Sequence, residues 1–258
     1  MGISYWPVGG NQTKQRVFRR LGERVEVTFL DPSADHPDLV AHEFDLYHLA
    51  KRRTESIRDL HRAARAGVPT LNPPAAVAQS SDRVATLDAL RRGGIPVPDY
   101  QYNAATDVTF DPPYIIKTRH ETDDGAHDHD VVLTGRPAFD GVKLVQEYVL
   151  ATRHLKVYRV GATVRVVELG LVRGAVRGEL EPTPALVALT EHVAALTGLS
   201  LFEVDVLDGH EPLVVDVNPV VSLAGVADAE SVYLDYLLAS LAKTEHAQNP
   251  MRATASLD

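Results

Sequence analysis

The stretch LVVDVNPVVSLAG, residues 213–225, alternates apolar and polar side chains as a half-buried β-strand does. Asp216 and Asn218 stand two residues apart in it, and residues i and i+2 of a strand face the same side. Two side-chain oxygens that point to one place suit a hard cation such as Mg²⁺, which prefers oxygen ligands and often bridges to phosphates. The alternative is that Asp216 and Asn218 begin a turn ahead of Pro219.

A second acidic strand favours the metal interpretation. Asp205 lies in LFEVDV (201–206), and the short segment LDGHE (207–211) joins this strand to the first stretch. In an antiparallel hairpin of that length, Asp205, Asp216 and Asn218 come onto one face within reach of each other. Clustered carboxylates beside apolar strands repel each other unless a cation balances their charge. The hairpin therefore predicts a divalent-metal site made of these three residues.

The composition excludes several classes of protein. A net charge of −9 argues against a general nucleic-acid-binding protein, whose surface would be basic. No apolar run reaches the ~18 residues of a membrane span, and the first residues lack the basic and apolar segments of a secretion signal. The chain has no cysteine, which excludes disulfides and thiolate sites. We therefore expect a soluble cytoplasmic protein, a monomer or homodimer, that acts on a small molecule and binds no nucleic acid or membrane.

The pattern of strands and helices divides the 258 residues into three lobes. Residues 1–79 alternate strand and helix, which predicts an α/β lobe with a parallel sheet. Residues 80–144 contain a helix from Ser81 to Arg92 and the strand PPYIIKTR, and predict an α+β lobe. Residues 145–258 are expected to hold consecutive antiparallel strands, the first of them KLVQEYVL, then a helix, the acidic hairpin and a terminal helix. The predicted fold class is thus mixed α/β and α+β.

Two lysines stand on strands that could face the acidic hairpin. Lys117 ends the apolar run YIIK, so its ammonium is expected to point into a cleft; the alternative is an exposed edge-strand lysine. Lys156 lies in HLKVYRVG, which follows KLVQEYVL, and could reach phosphates. KLVQEYVL joins two lobes. A strand in such a position often forms a hinge whose backbone amides and carbonyls face the edge of an adenine. The glycine-containing loop ETDDGAHDHD could fold over phosphates.

In this order, the segments resemble the ATP-grasp superfamily, and within it they are most similar to the inositol trisphosphate 5/6-kinase family. The similar segments cover nearly the whole chain: GISYW, SSDR, IIKTR, DGAHDH, VQEYV, LKVYRVG, TGLSLFEVDV and VVDVNP. The chain also resembles the ribosomal-protein glutamate ligases of the same superfamily. The resemblance implies an ATP-grasp fold of three lobes, with ATP between the middle and C-terminal lobes.

The resemblance also implies a role for particular residues. Eight of them would contact ATP: Arg83, Lys117, Gly125, Gln146, Glu147, Tyr148, Val149 and Lys156. One or two Mg²⁺ would be held by Asp205, Asp216 and Asn218. Catalysis would use Lys117, Lys156 and His129, and the substrate would be bound by Lys14, His129 and Ser222.

The substrate side departs from the kinase family, because Leu169 stands where that family has a phosphate-binding arginine. Fixed arginines hold phosphate geometry. A replacement would have to come from Arg52, Arg53, Arg173 or Arg177. The first hypothesis is a kinase that transfers the ATP γ-phosphoryl group to a hydroxyl of an inositol phosphate or related polyol phosphate. The alternatives are a carboxylate–amine ligase that acts through an acyl phosphate, and a non-catalytic ATP-binding module.

Overall fold

The computed structural model describes residues 1–8, 10–39, 43–120, 129–170, 175–209 and 211–248. These residues form three β-sheets and six α-helices. One sheet is parallel and two are antiparallel, so the mixed α/β and α+β class predicted from the sequence is confirmed. Within the described residues, no helix has the length and apolar character needed to cross a bilayer.

The N-terminal sheet consists of β1 (Gly2–Ser4), β2 (Thr28–Leu30), β3 (Tyr47–Leu49) and β4 (Thr70–Leu71), with helices α1 (Gln12–Gly22) and α2 (Thr54–Arg65) between them. The strands are parallel, as predicted, and lie in the order β2-β1-β3-β4. Asn11 caps α1, since its side chain accepts a hydrogen bond from the backbone N–H of Lys14 at 3.1 Å. The strand order reverses between β1 and β3, and ligand crevices of parallel sheets lie at such positions.

The middle sheet consists of β5 (Tyr100–Ala104), β6 (Tyr114–Lys117), β7 (His129–Val132) and β8 (Val142–Glu147), and α3 (Pro74–Ser80) and α4 (Arg83–Arg92) precede it. Its antiparallel order is β5-β8-β6-β7. The helix predicted from Ser81 begins at Arg83, because Asp82 is its N-cap and accepts a hydrogen bond from Ala85 N. The sequence patterns do not predict α3 or β5.

Strand β8 belongs to the middle sheet, whereas the sequence pattern groups KLVQEYVL with the strands of the last lobe. β8 pairs with β5 and β6 and makes no ladder with the strands that follow it in the described residues. The reason is packing: Val145 of β8 lies in one buried cluster with Tyr114 and Ile116 of β6. The lobe boundary predicted between residues 144 and 145 therefore falls inside a continuous strand.

The C-terminal sheet consists of β9 (Arg153–Val160), β10 (Thr163–Leu169), β11 (Val176–Leu180), β12 (Leu201–Asp208) and β13 (Leu213–Asn218), with α5 (Pro184–Thr197) and α6 (Ala229–Gln248). Its antiparallel order is β11-β10-β9-β12-β13. The predicted hairpin is β12 with β13, where Asp205 is opposite Asp216 and Glu203 is opposite Asn218. On the other side of β12, Lys156 of β9 is opposite Asp205. Paired residues share a face, so this register gathers five polar side chains on one face of the sheet.

The N-terminal and C-terminal sheets share a hydrophobic core. Ile3 and Phe18 of the first lobe pack with Tyr158 of β9 and Tyr233 of α6, and all four side chains are buried. Burial of apolar surface stabilises a fold by about 25 cal/mol per Å². The shared core therefore ties the N-terminal sheet to the sheet that carries the acidic hairpin.

Candidate functional site

A cavity of about 460 Å³ lies between the middle and C-terminal sheets. This volume is within the usual range of small-molecule sites. Ten of the residues predicted to bind nucleotide, metal or substrate line it: Arg83, Lys117, His129, Glu147, Tyr148, Val149, Lys156, Asp205, Asp216 and Asn218. The structure therefore brings most of the predicted nucleotide and metal residues to one place.

The acidic hairpin supplies the oxygen donors of this cavity. Asp205 and Asp216 are direct neighbours across the β12–β13 pair, and Asn218 is two residues beyond Asp216. Burial raises the pKa of Asp205, and the nearby ammonium of Lys156 opposes that rise. Two carboxylates and an amide form an oxygen donor set that fits Mg²⁺, and a divalent charge would offset the cost of burying them. In the described part of the chain, no three His, Cys, Asp or Glu side chains are placed to hold a metal, so a site here depends on the Asn218 amide.

The turn interpretation of Asn218 is confirmed, and the metal interpretation stays a prediction. Asn218 Oδ1 accepts a hydrogen bond from the backbone N–H of Val220 at 3.0 Å, which closes a turn after β13. A carbonyl oxygen has two acceptor positions, so this bond fixes the amide without preventing Oδ1 from binding a metal. Asp216 is held in a similar way, since its Oδ1 accepts a hydrogen bond from Val217 N at 3.0 Å.

Lys156 lies between two carboxylates. Its Nζ is 3.0 Å from Glu203 Oε1 and 3.1 Å from Asp205 Oδ1. Burial lowers the pKa of Lys156, but Asp205 and Glu203 outweigh this effect and raise it. Lys156 is therefore held in its charged form beside the candidate metal ligands.

Lys117 is buried at the end of β6, and its Nζ donates a hydrogen bond to Gln146 Oε1 at 2.7 Å. Burial lowers the pKa of Lys117, and the carboxylate of Asp216 partly restores it. Arg83 Nε is 3.7 Å from Asp216 Oδ2. The predicted cleft position of Lys117 is thus seen in the structure, and the edge-strand alternative is wrong.

The hinge residues differ in detail from the prediction that they contact adenine. The Gln146 side chain is fully buried and binds Lys117, and its Nε2 has no hydrogen-bond partner among the described residues. The amides of Glu147 and Tyr148 donate to Asp99 O at 2.8 Å and to Pro113 O at 3.2 Å, because the middle sheet extends to the end of β8. Glu147, Tyr148 and Val149 all line the cavity, so the contacts of their backbone with adenine stay a prediction.

Lys14 and Ser222 lie outside the lining of the cavity, next to one of its walls. Lys14 Nζ is buried and donates to Ala50 O at 2.6 Å. Burial lowers the pKa of Lys14 to about 8, and the charge of Glu203 opposes this. Ser222 donates from both N and Oγ to Glu203 Oε2, at 2.7 and 2.9 Å. These two of the three predicted substrate residues therefore interact with Glu203 and do not line the cavity.

Glu203 is the functional candidate that the sequence analysis missed. It is buried, lines the cavity, and connects Lys156 to the segment around Ser222. A signal was present, because Glu203 is two residues before Asp205 and so faces the same side of β12. Its Oε1 accepts a hydrogen bond from Lys156 and its Oε2 accepts two from Ser222, so Glu203 holds both residues in place beside the cavity.

The third residue predicted to bind the substrate is His129. His129 begins β7, pairs with Lys117 in the strand register, and lines the cavity. Burial lowers the pKa of His129, and the positive charge of Lys117 adds to the effect. Gly125 and Arg173 lie outside the described residues. Leu169 lines the cavity with an apolar side chain that packs against the shared core.

No protein-family model matches the chain, and no curated protein matches it. Solved structures match it over most of its length. The RimK domain ATP-grasp protein from Sphaerobacter thermophilus DSM 20745 has 19% identity and a TM-score of 0.69, over 91% of this chain and 98% of that chain. The D-alanine–D-alanine ligase from Bacillus anthracis, complexed with ATP, has 15% identity and a TM-score of 0.70, over 97% and 98%. The macrocyclase MdnC from Microcystis aeruginosa MRC, bound with the precursor peptide MdnA, has 12% identity and a TM-score of 0.70, over 93% and 99%.

The chain has the ATP-grasp fold. The predicted fold is therefore confirmed. At these identities the likeness concerns the fold alone, and none of the three proteins is described as an inositol phosphate kinase. The cavity lies between the second and third sheets, where the resemblance places ATP.

Proposed function

We propose that the protein is an ATP- and Mg²⁺-dependent carboxylate–amine ligase, which converts a carboxylate to an acyl phosphate that an amine then attacks. The observation that carries the proposal is one cavity lined both by the oxygen donors Asp205 and Asp216 and by the ammonium of Lys156. The likeness in fold to a D-alanine–D-alanine ligase and to a RimK domain protein supports a ligase.

Both polar and apolar side chains line the cavity, which suits a nucleoside triphosphate. Ile115, Val206 and Leu207 are apolar lining residues and would contact the flat face of the adenine. Mg²⁺ held by the acidic hairpin would supply positive charge at the phosphates. Lys117 would donate hydrogen bonds to phosphate oxygens and stabilise the charge that develops there.

Lys156 is the residue that would change partners when the triphosphate enters. Its ammonium now contacts Asp205, which the metal would take over as a ligand. Glu203 would keep its contact with Lys156, so the ammonium stays in place and turns a donor toward a phosphate oxygen. Arg83, beside Asp216, would orient that carboxylate.

The apolar wall at Leu169 favours the ligase over the kinase. A polyphosphorylated acceptor needs several fixed cations. The described cations that line the cavity, Arg83, Lys117 and Lys156, already lie beside a carboxylate or an amide. A substrate with a single reacting carboxylate makes a smaller demand on this site.

A kinase is the second candidate, because His129 lies opposite Lys117 and lines the cavity. In the kinase family that the chain resembles, a histidine after the glycine loop contacts the substrate. The reaction would transfer the γ-phosphoryl group of ATP to a hydroxyl of an inositol phosphate or related polyol phosphate.

Hydroxylamine trapping separates the two reactions. Purified protein is incubated with ATP, Mg²⁺, hydroxylamine and a panel of amino acids and dicarboxylic acids, and in parallel with ATP and a panel of inositol phosphates. The ligase predicts ADP and an ATP-dependent hydroxamate from at least one acid, both lost in Asp216→Asn. A phosphate-ester product without any hydroxamate would overturn the ligase in favour of the kinase. Nucleotide binding without turnover in either panel would leave a non-catalytic module.

A further inference from the structure

Two cations flank the single tryptophan of the chain at one edge of the N-terminal sheet. Lys51 Nζ is 5.8 Å from the centroid of the Trp6 ring, and the guanidinium carbon of Arg53 is 5.3 Å from it. Trp6 follows β1 and Lys51 follows β3, so both lie beyond the carboxyl ends of adjacent parallel strands. The strand order reverses between β1 and β3, which is where the crevice of an open parallel sheet receives a ligand.

Lys51 and Arg53 have no carboxylate partner among the described residues. Burial and the positive charges of Arg53 and Arg52 all lower the pKa of Lys51. Arg53 Nε is buried without a hydrogen-bond partner in the same part of the structure. The carboxylate of Asp31 accepts a hydrogen bond from Trp6 Nε1 at 2.7 Å, which places it at the edge of the indole. Partly buried cations that repel one another are stabilised by a bound anion.

The crevice adjoins the acidic hairpin. The ammonium of Lys14, whose charge interacts with those of Lys51 and Glu203, uses one of its three donors on Ala50 O. Asn11 Nδ2 donates to Ser222 O at 3.0 Å, and Ser222 in turn binds Glu203. These contacts connect Ala50, the residue before Lys51, and the N-terminus of α1 to Glu203 in the wall of the cavity.

We propose that Lys51, Arg53 and Trp6 form a subsite for an oxyanion of the substrate, a carboxylate or phosphate group separate from the group that reacts. This inference deepens the proposed function and rests on it for the identity of the reacting group. The guanidinium and the ammonium bind the oxygens with charge-assisted hydrogen bonds, and the indole forms an apolar platform beside them. The substrate of the ligase is then a molecule with at least two anionic groups.

Trp6 reports on this subsite directly, because its emission is the only tryptophan emission of the chain. Nucleotide-free protein is titrated with sodium phosphate and, separately, with sodium succinate, while NaCl keeps the ionic strength constant. We expect a saturable change in emission with at least one of the two anions. In Lys51→Met/Arg53→Gln, the apparent affinity falls about 10- to 100-fold, the effect of losing charge-assisted hydrogen bonds. The charge-matched control Arg92→Gln/Lys243→Met, at exposed positions away from the crevice, keeps the wild-type response.

The outcomes separate the subsite from the ligase activity. Saturation by succinate alone assigns the subsite to a carboxylate, and saturation by phosphate alone assigns it to a phosphorylated substrate. A response that only follows ionic strength, or that survives in the double variant, overturns the subsite. Since the titration contains no nucleotide, a saturable response with no hydroxamate product contradicts the ligase and keeps the subsite. The single variant Lys51→Met is the control for loss of fold, and its circular dichroism spectrum should equal that of the wild type. In the hydroxamate assay, Lys51→Met raises KM for the acid without changing KM for ATP.

Discussion

Replacing Glu203 with glutamine tests whether a buried carboxylate supports the cavity wall. Glu203 Oε1 accepts from Lys156 Nζ at 3.0 Å, and Oε2 accepts from Ser222 N and Oγ at 2.7 and 2.9 Å. Glutamine has nearly the same shape but offers only one acceptor oxygen. In Glu203→Gln the new NH₂ group must therefore face either the Lys156 ammonium or the Ser222 N–H. Two hydrogen-bond donors then face each other without an acceptor between them.

The expected loss of stability follows from these contacts. Removing a charge-assisted hydrogen bond costs about 1.5–3 kcal/mol, and a buried donor without an acceptor costs about 1–3 kcal/mol more. Lys156 keeps its contact with Asp205, so we expect a value near the lower end, about 3 kcal/mol. For a chain of this size, that loss lowers Tm by roughly 6–12 °C.

Thermal unfolding followed by circular dichroism measures this difference. The matched control is Glu191→Gln, which removes the same charge from an exposed pair with Arg159. A surface pair of this kind is worth about 0–1 kcal/mol, so the control should melt close to the wild type. If Glu203→Gln and Glu191→Gln melt at the same temperature, the argument that Glu203 holds Lys156 and Ser222 in place is refuted.

Three further predictions concern buried ionisable groups. Burial lowers the pKa of Lys14 from 10.5 to about 8, so between these pH values the unfolded chain binds more protons than the folded one and the free energy of unfolding rises with pH. Urea unfolding should show that Lys14→Met removes about 3 kcal/mol of this rise. An equal rise in the variant and the wild type would contradict the prediction. Burial lowers the pKa of His48 from 6.5 to about 3, so the free energy of unfolding should fall as pH drops from 6.5 toward 3. Urea unfolding should show a smaller fall in His48→Asn, and an equal fall in the variant would count against the prediction. In Lys117→Met, calorimetry should show an affinity for Mg²⁺-ATP about 10- to 100-fold weaker, with Lys143→Met of the same sheet as the unaffected control; equal affinities would remove Lys117 from the nucleotide site.

The acidic hairpin was predictable from the sequence because local rules fix it. Period-two alternation and a short connection leave few registers for β12 and β13, and the observed register places Asp205 opposite Asp216. The alternatives of a metal ligand and a turn residue did not exclude each other for Asn218, since one oxygen can serve both. The same alternation would have found Glu203, had every residue on that face been considered.

Features that depend on tertiary contacts were not predictable. Strand β8 pairs inside the middle sheet because its buried side chains pack on β6, although strands adjacent in sequence usually pair with each other. Gln146 binds Lys117 and does not line the cavity, and the motif around it carries no information on which way the side chain points. Helix α3 begins at Pro74, in a stretch where the sequence patterns predict no helix although proline is favoured in the first turn of one.

The most direct test of the central claim is calorimetric titration of the protein with a non-hydrolysable ATP analogue, with and without Mg²⁺. If Asp205, Asp216 and Asn218 hold a magnesium ion against the triphosphate, binding is strong only with Mg²⁺, and Asp216→Asn weakens it while leaving the melting temperature of the nucleotide-free protein close to that of the wild type. Binding that is equally strong in EDTA and in the variant would contradict the assignment of the metal site, and no binding at all would contradict the nucleotide site.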